Sequence, residues 1–141
     1  NTDWTIKSKP YELRARLFGF ACVITRLAQF LHTRGRVGAT FSEQLLRSGT
    51  SAGANYEEAD DGSSRRDRHA KRRIALRELK ETSFRLRVMR ETGILTAAHD
   101  PVITECAELV KILATIIRKS KDQLPTIQRS NDPKETVRTK R

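Results

Sequence analysis

Positive charge concentrated in one stretch is the feature of this sequence that could carry chemistry. Between positions 65 and 90 there are eleven Arg or Lys residues against three acidic ones, a net charge of +8. Guanidinium groups donate paired hydrogen bonds to phosphate oxygens, and each phosphate that is neutralised releases condensed counterions. The stretch therefore predicts a phosphate-binding surface, and the residues expected to form it are Arg65, Arg66, Arg68, Lys71, Arg72, Arg73 and Arg77.

The chain as a whole is also basic. Its 141 residues have a formal net charge of +11, which favours association with polyanions. No groove-reading motif is present and aromatic residues are few, so binding of RNA or DNA should not depend on base sequence. The alternative interpretation is a structural adaptor whose arginines form salt bridges or dock an acidic protein partner. A membrane-surface helix would need a large apolar face beside its basic one, which this stretch lacks.

No other set of residues is typical of catalysis. The three histidines lie on different segments, and the sequence has no HExxH motif, glycine-rich phosphate loop or serine elbow. The acidic cluster at 57–61 could bind a divalent metal, but salt bridges to the neighbouring arginines are the favoured interpretation. The Glu-x-x-His pairs of a di-iron bundle are absent. We expect no enzymatic activity, no metal and no cofactor.

Cysteine usage and hydropathy bear on the compartment. Cys22 and Cys106 are far apart without CxxC spacing, so neither a zinc site nor a disulfide framework is indicated. No apolar run reaches the about 20 residues that a membrane span needs, and no short hydrophobic leader with a cleavage site opens the chain. We expect a cytoplasmic protein with reduced thiols and no membrane partner.

Helices must position the basic stretch, because apolar residues recur at intervals of three and four. Gly35 and Gly38 interrupt the first such pattern, and a second helix is expected to start near Phe41 or Ser42, with Ser42 as its N-cap. Small residues in that helix, such as Gly49 and Gly53, would allow a close approach of two backbones. The apolar stripe of the first helix is Leu13, Leu17, Phe20, Ala21, Ile24, Leu27, Ala28 and Leu31.

The second half of the chain predicts two more helices. A serine of the turn at 60–64 should cap a third helix that carries the basic stretch and ends near Gly93. Asp100 and Pro101 are suited to the N-cap and first position of a fourth helix. The sequence thus predicts an all-α, antiparallel up-down-up-down four-helix bundle over 10–123, preceded by an N-terminal extension at 1–9 and followed by a basic, flexible tail at 124–141.

Some apolar residues fall outside the core stripes. At about 100° per residue, Phe18 and Cys22 point away from the stripe of the first helix, and Phe84 and Val88 point away from that of the third. A single exposed apolar residue needs no explanation, but two pairs predict a second buried surface. We expect these four residues to form a subunit interface.

Three ordered blocks of sequence carry a family resemblance: QLLRSGTSAGANYEEA at 44–59, IALRELKETSFRLRVMRETGIL at 74–95 and ELVKILATIIRKSK at 108–121. On these blocks the chain resembles the bacterial four-helix bundle proteins also described as 23S rRNA intervening-sequence proteins. The resemblance implies an antiparallel bundle that assembles as a homopentamer. A related protein, the accessory variability determinant of diversity-generating retroelements, is associated with nucleic acid and with a reverse transcriptase. The resemblance therefore implies a reverse transcriptase as a further partner.

Overall fold

Four long helices make up the protein in a computed structural model, which describes residues 3–6, 12–62 and 64–122. The helices are α1 (Leu13–His32), α2 (Gly35–Asp60), α3 (Arg65–Glu91) and α4 (Asp100–Asp122), with a single 3₁₀ turn at Ala97–His99. Each helix packs against the next and α1 also packs against α4, so the bundle is closed. The predicted all-α four-helix fold is confirmed. None of the described helices is both long enough and apolar enough to cross a membrane.

The core is formed by the stripes that the sequence predicts. Phe20, Ile24 and Leu27 of α1 are fully buried, as are Leu79 and Leu86 of α3. Cys106 of α4 is buried among them, and its thiol donates to the carbonyl oxygen of Leu79 at 3.4 Å. Burial raises the pKa of Cys106 to about 12. Cys106 is thus a packed, unreactive thiol.

A buried ion pair joins α1 to α4, and sequence reasoning missed it. Arg16 is 5% exposed and Glu105 is 7% exposed. The Arg16 guanidinium donates to the two carboxylate oxygens of Glu105 at 3.0 and 2.6 Å, and also to Glu108 at 2.9 Å. The bidentate geometry fixes the relative position of the two helices. The sequence feature that could have indicated this ion pair is the position of Arg16 next to Leu17, a residue of the apolar stripe of the first helix.

The predicted start of α2 was wrong. The helix begins at Gly35, where φ is +78°, and continues through Gly38 without a break. Gly38 is required by packing, because a Cβ there would lie 2.5 Å from the carbonyl oxygen of Leu31. Ser42 is inside the helix and is not its N-cap; its hydroxyl donates to the carbonyl oxygen of Ala28 at 2.8 Å. The hydroxyl therefore joins α2 to α1.

The helix caps further along the chain agree only in part with those predicted from the sequence. Ser64 is the N-cap of α3, as expected, and accepts from the amide of Asp67 at 3.1 Å. Asp100 is already helical, so the predicted cap of α4 was wrong. The chain turns instead at Thr96, whose hydroxyl accepts from Ala98 while its own amide donates to Nδ1 of His99 at 3.0 Å.

An aromatic cluster closes the end of the bundle where α1 ends and α4 begins. Trp4, from the predicted extension, is buried with its ring 6.1 Å from Phe30 and 5.4 Å from His99. The Arg34 guanidinium lies 4.0 Å from the centroid of Phe30. The described part of the extension, residues 3–6, is thus packed on the bundle. The predicted tail at 124–141 lies outside the described residues.

His99 makes this end of the bundle sensitive to protonation. Burial lowers the pKa of His99 below its usual value. Arg34 and Arg90 lower it further, against the opposing effects of the hydrogen bond with the Thr96 backbone and of Asp100. The unfolded chain, where this pKa is about 6.5, therefore binds a proton more readily than the folded chain. We expect the packing of Trp4 on His99 to be stable above about pH 6.5 and to weaken as the pH falls below it.

Fluorescence of Trp4 checks this expectation, because the chain has one tryptophan. On acidification from about pH 7.5 to about pH 5, the emission should shift to longer wavelength while the circular dichroism remains helical. His99→Gln should abolish the shift. His32→Gln, which changes an exposed histidine, should retain it. A shift of the same size and midpoint in the His99→Gln protein would contradict the expectation.

Candidate nucleic-acid interface

The seven residues predicted to bind phosphate do not lie on one side of α3. Lys71 and Arg72 face α2, where Nζ of Lys71 is 3.0 Å from Oε1 of Glu58 and Nη2 of Arg72 is 3.6 Å from Oδ1 of Asp60. Arg72 also lies 5.5 Å from the centroid of the Tyr56 ring, and its side chain is 17% exposed. Both cations therefore have acidic partners within the chain, and Arg72 contributes to the packing of α2 against α3.

A second group of cations points outward. Arg66, Arg73 and Arg77 are exposed, and Lys80 joins them on the same side of the helix. Successive members are seven, four and three residues apart, which keeps them on one face and spreads them over about 21 Å. Within the described part of the chain none of the four has an acidic partner at ion-pair distance. We refer to Arg66, Arg73, Arg77 and Lys80 as the cation row.

The other two predicted residues lie beside this row. Arg65 is exposed at the first position of α3, and Arg68 is half-buried one turn later. Neither lines the groove described next. Lys80 was part of the counted basic stretch but was not predicted as a site residue. Its signal was the three-residue spacing from Arg77, which places both side chains on one face.

The cation row borders a groove between α3 and α4 of about 700 Å³. Its apolar lining consists of Ala70, Ile74 and Leu76 from α3 and Ile117 from α4. The three larger apolar side chains are half-buried, so part of each is open to the groove. The groove therefore combines aliphatic surface with a cationic border.

The acidic cluster after α2 has its partners in the bundle. Arg14 of α1 lies 3.6 Å from Glu57, 3.7 Å from Asp60 and 3.5 Å from Asp61. The predicted salt bridges of this cluster are therefore present, although the main partner is on α1. Over residues 3–6, 12–62 and 64–122, no group of three His, Cys, Asp or Glu side chains is arranged to hold a metal ion.

The residues predicted for a subunit interface lie on two opposite sides of the bundle. Phe18 on α1 is 64% exposed and Phe84 on α3 is 59% exposed. Cys22 and Val88, one turn beyond them, are half-buried. Helices α1 and α3 are diagonal in the bundle, since each packs against α2 and α4. The chain thus has an apolar patch on α1 and another on α3, and the two patches cannot cover each other within one chain.

Fold and surface together define a class of protein: an all-α four-helix bundle that carries a row of exposed cations along its third helix. The chain belongs to the 23S rRNA-intervening sequence protein family, whose family model matches residues 12–115. The family resemblance of the three sequence blocks is therefore confirmed.

A solved structure supports this assignment. The chain is similar to a protein of unknown function from the S23 ribosomal protein family of Bacteroides thetaiotaomicron, whose crystal structure is known, with 34% sequence identity and a TM-score of 0.70. The similarity covers 75% of this chain and 98% of that one. No match was found among curated proteins.

Proposed function

We propose that this protein binds nucleic acid through the cation row of α3, without reading base sequence. The observation that carries the proposal is the exposure of Arg66, Arg73 and Arg77 on one helical face without acidic partners among the described residues. Like charges three or four residues apart on a helix destabilise it by about 0.2–0.5 kcal/mol per pair. A polyanion would relieve this repulsion and release its own counterions.

The family description supports RNA as the polyanion. The family is named for the intervening sequence of 23S rRNA, and the similar protein of known structure is assigned to a ribosomal protein family. We therefore propose RNA as the physiological ligand and the cytoplasm as the compartment. Binding to DNA of the same length is expected as well, because contacts to phosphates do not distinguish the two.

We further propose that the chain assembles as a homopentamer. Patches on opposite sides of a protomer suit a head-to-tail contact, in which the Phe18 patch of one copy covers the Phe84 patch of the next. Such contacts form a ring when the rotation from copy to copy closes, and an open filament when it does not. Each subunit of such a ring repeats the cation row, and simultaneous contacts raise the avidity for a long strand. A ring of this kind could present the strand to a reverse transcriptase. Light scattering should give the mass of five chains, and the mass of a single chain would overturn the ring.

Charge reversal tests nucleic-acid binding. The triple variant Arg66→Glu, Arg73→Glu, Arg77→Glu should bind a fluorescent single-stranded RNA at least about 100-fold more weakly at low salt. The slope of log affinity against log salt should fall by about 2, since three phosphate contacts are lost. The matched control reverses three exposed cations elsewhere, Arg26, Arg36 and Lys111, for the same change in net charge.

The outcomes separate the two candidate functions. Loss of binding in the first triple variant, with the control close to the unaltered protein and both at unchanged mass, is the expected result. Equal weakening in both triple variants would show that net charge alone acts, and the proposed site would be wrong. If the first variant lost its assembled mass and the unaltered protein bound no RNA at low salt, the structural adaptor would be the better account.

A further inference from the structure

We propose that the groove between α3 and α4 selects single-stranded over duplex nucleic acid, by packing unpaired bases on its apolar lining. This inference rests on the proposed function and assigns a ligand class to the same surface. The groove is the place where the cation row and aliphatic side chains meet, and the two kinds of surface attract different parts of a nucleotide.

The cationic border suits the phosphates. Arg73, Arg77 and Lys80 are three and four residues apart, so their backbone positions rise by about 4.5–6 Å from one to the next. Their side chains can therefore follow a strand that runs along the helix. Among the described residues, the lining of the groove contains no Asp or Glu that would repel a phosphate.

Neighbouring grooves lack this property. The groove on the α2 side of Phe84 shares Arg77 and Lys80 with this one but also includes Glu81. The groove on its α4 side includes Glu91 and Asp100. An anionic strand would meet a carboxylate in either place. Charge complementarity therefore favours the groove beside the cation row as the binding site, and leaves the surface around Phe84 for contact between subunits.

The apolar lining suits the bases. Ile74, Leu76 and Ile117 are half-buried, and their remaining exposed area can be covered by a flat, uncharged surface. In a duplex the base faces are stacked inside, so a duplex offers this groove sugars, phosphates and base edges but no base faces. In a single strand the base faces are free. Proteins that bind single strands combine a positive groove with aromatic stacking surfaces, and in this groove aliphatic side chains take the place of the aromatic ones. The volume of the groove is within the about 300–1,000 Å³ typical of ligand sites.

A comparison of one labelled strand in two states tests the selection. The probes are fluorescein-labelled oligo(dT) and the same strand annealed to oligo(dA), measured by anisotropy in the same buffer. We expect the unaltered protein to bind the single strand at least about 10-fold more tightly than the duplex. Ile117→Ser should weaken single-strand binding by about 5-fold or more and leave duplex binding within about 2-fold.

Two further variants make the result independent of folding. Ile112→Ser, a half-buried isoleucine of α4 outside the groove, is the matched control and should leave both affinities unchanged. Ile117→Phe enlarges the apolar surface and supplies an aromatic face, so it should strengthen single-strand binding without affecting the duplex. A gain of affinity cannot arise from a damaged fold.

The possible failures are distinct. If neither probe bound at low salt, the proposed function itself would be wrong. If both probes bound equally and both were lost on reversal of the cation row, nucleic-acid binding would stand and single-strand selection would be overturned. Equal effects of Ile117→Ser on the two probes would also overturn the role of the apolar lining.

Discussion

Replacement of Glu105 by Gln is expected to lower the free energy of unfolding by about 3–5 kcal/mol, the largest effect of any single change considered for this protein. Glu105 accepts two hydrogen bonds from Arg16 between α1 and α4, and both residues are nearly inaccessible to solvent. Loss of the charge on Glu105 would leave the Arg16 guanidinium buried with a weaker set of acceptors. Glu108 remains 2.9 Å from the guanidinium, but its side chain is exposed and compensates the buried charge only in part, so the cost arises mainly from the desolvation of that charge.

Chemical denaturation followed by circular dichroism measures this effect. Glu108→Gln is the matched control: its carboxylate contacts the same guanidinium, but its side chain is 56% exposed, so the expected loss is below about 1 kcal/mol. The double variant Arg16→Met, Glu105→Leu removes both charges and should be close to the unaltered protein in stability. If Glu105→Gln lowered the free energy of unfolding no more than Glu108→Gln, the Arg16 charge would be compensated without Glu105, and the expectation would be wrong.

Two glycines of α2 should respond to alanine with opposite signs. At Gly38 a Cβ would meet the Leu31 carbonyl oxygen at 2.5 Å, and because that atom is backbone the helices must move apart. We expect Gly38→Ala to destabilise by about 1–3 kcal/mol, the usual cost of overpacking. At Gly53 the nearest atom to a Cβ is the Leu17 carbonyl oxygen at 3.5 Å, an ordinary contact. Gly53→Ala should therefore stabilise by up to about 1 kcal/mol through helix propensity.

Thermal and chemical unfolding of the two variants side by side decides the matter. The chemical change is identical and both glycines are buried in the same helix, so each variant controls for the other. The difference between the two changes in the free energy of unfolding therefore reports how closely α1 approaches α2 at each glycine. If both substitutions stabilised the protein, the contact at Gly38 would be looser than the structure has it.

Gly38 also illustrates where prediction of the fold from the sequence succeeded and where it failed. Periodicity predicted the helices and their inward stripes, because the three- and four-residue repeat is a local property of the sequence. The start of α2 was wrong because Gly38 and Ser42 are usually found at breaks and caps. Here their roles are contacts with α1, and such contacts depend on tertiary packing that no local pattern contains. Trp4 was missed for a similar reason, since one isolated aromatic residue has no period.

Prediction of the candidate site was limited by partners on other helices. The density of arginine identified α3, but the acidic partners of Lys71 and Arg72 lie on α2, at Glu58 and Asp60. Only the packing of α2 against α3 separates these cations from Arg66 and Arg73. The groove itself needs Ile117 from α4, which is distant in sequence. The sequence could therefore predict that the surface of α3 is basic, but not which residues form it.

The positions of His99 and of the cation row have one more consequence. The two lie near opposite ends of the bundle, so the proton-sensitive packing of Trp4 is remote from the proposed strand-binding groove. Tryptophan emission should follow acidity and ignore added salt, whereas occupancy of the groove should follow salt. The two ends can therefore be observed separately in one sample. A change in tryptophan emission on binding of a strand would reveal coupling along the helices between the two ends.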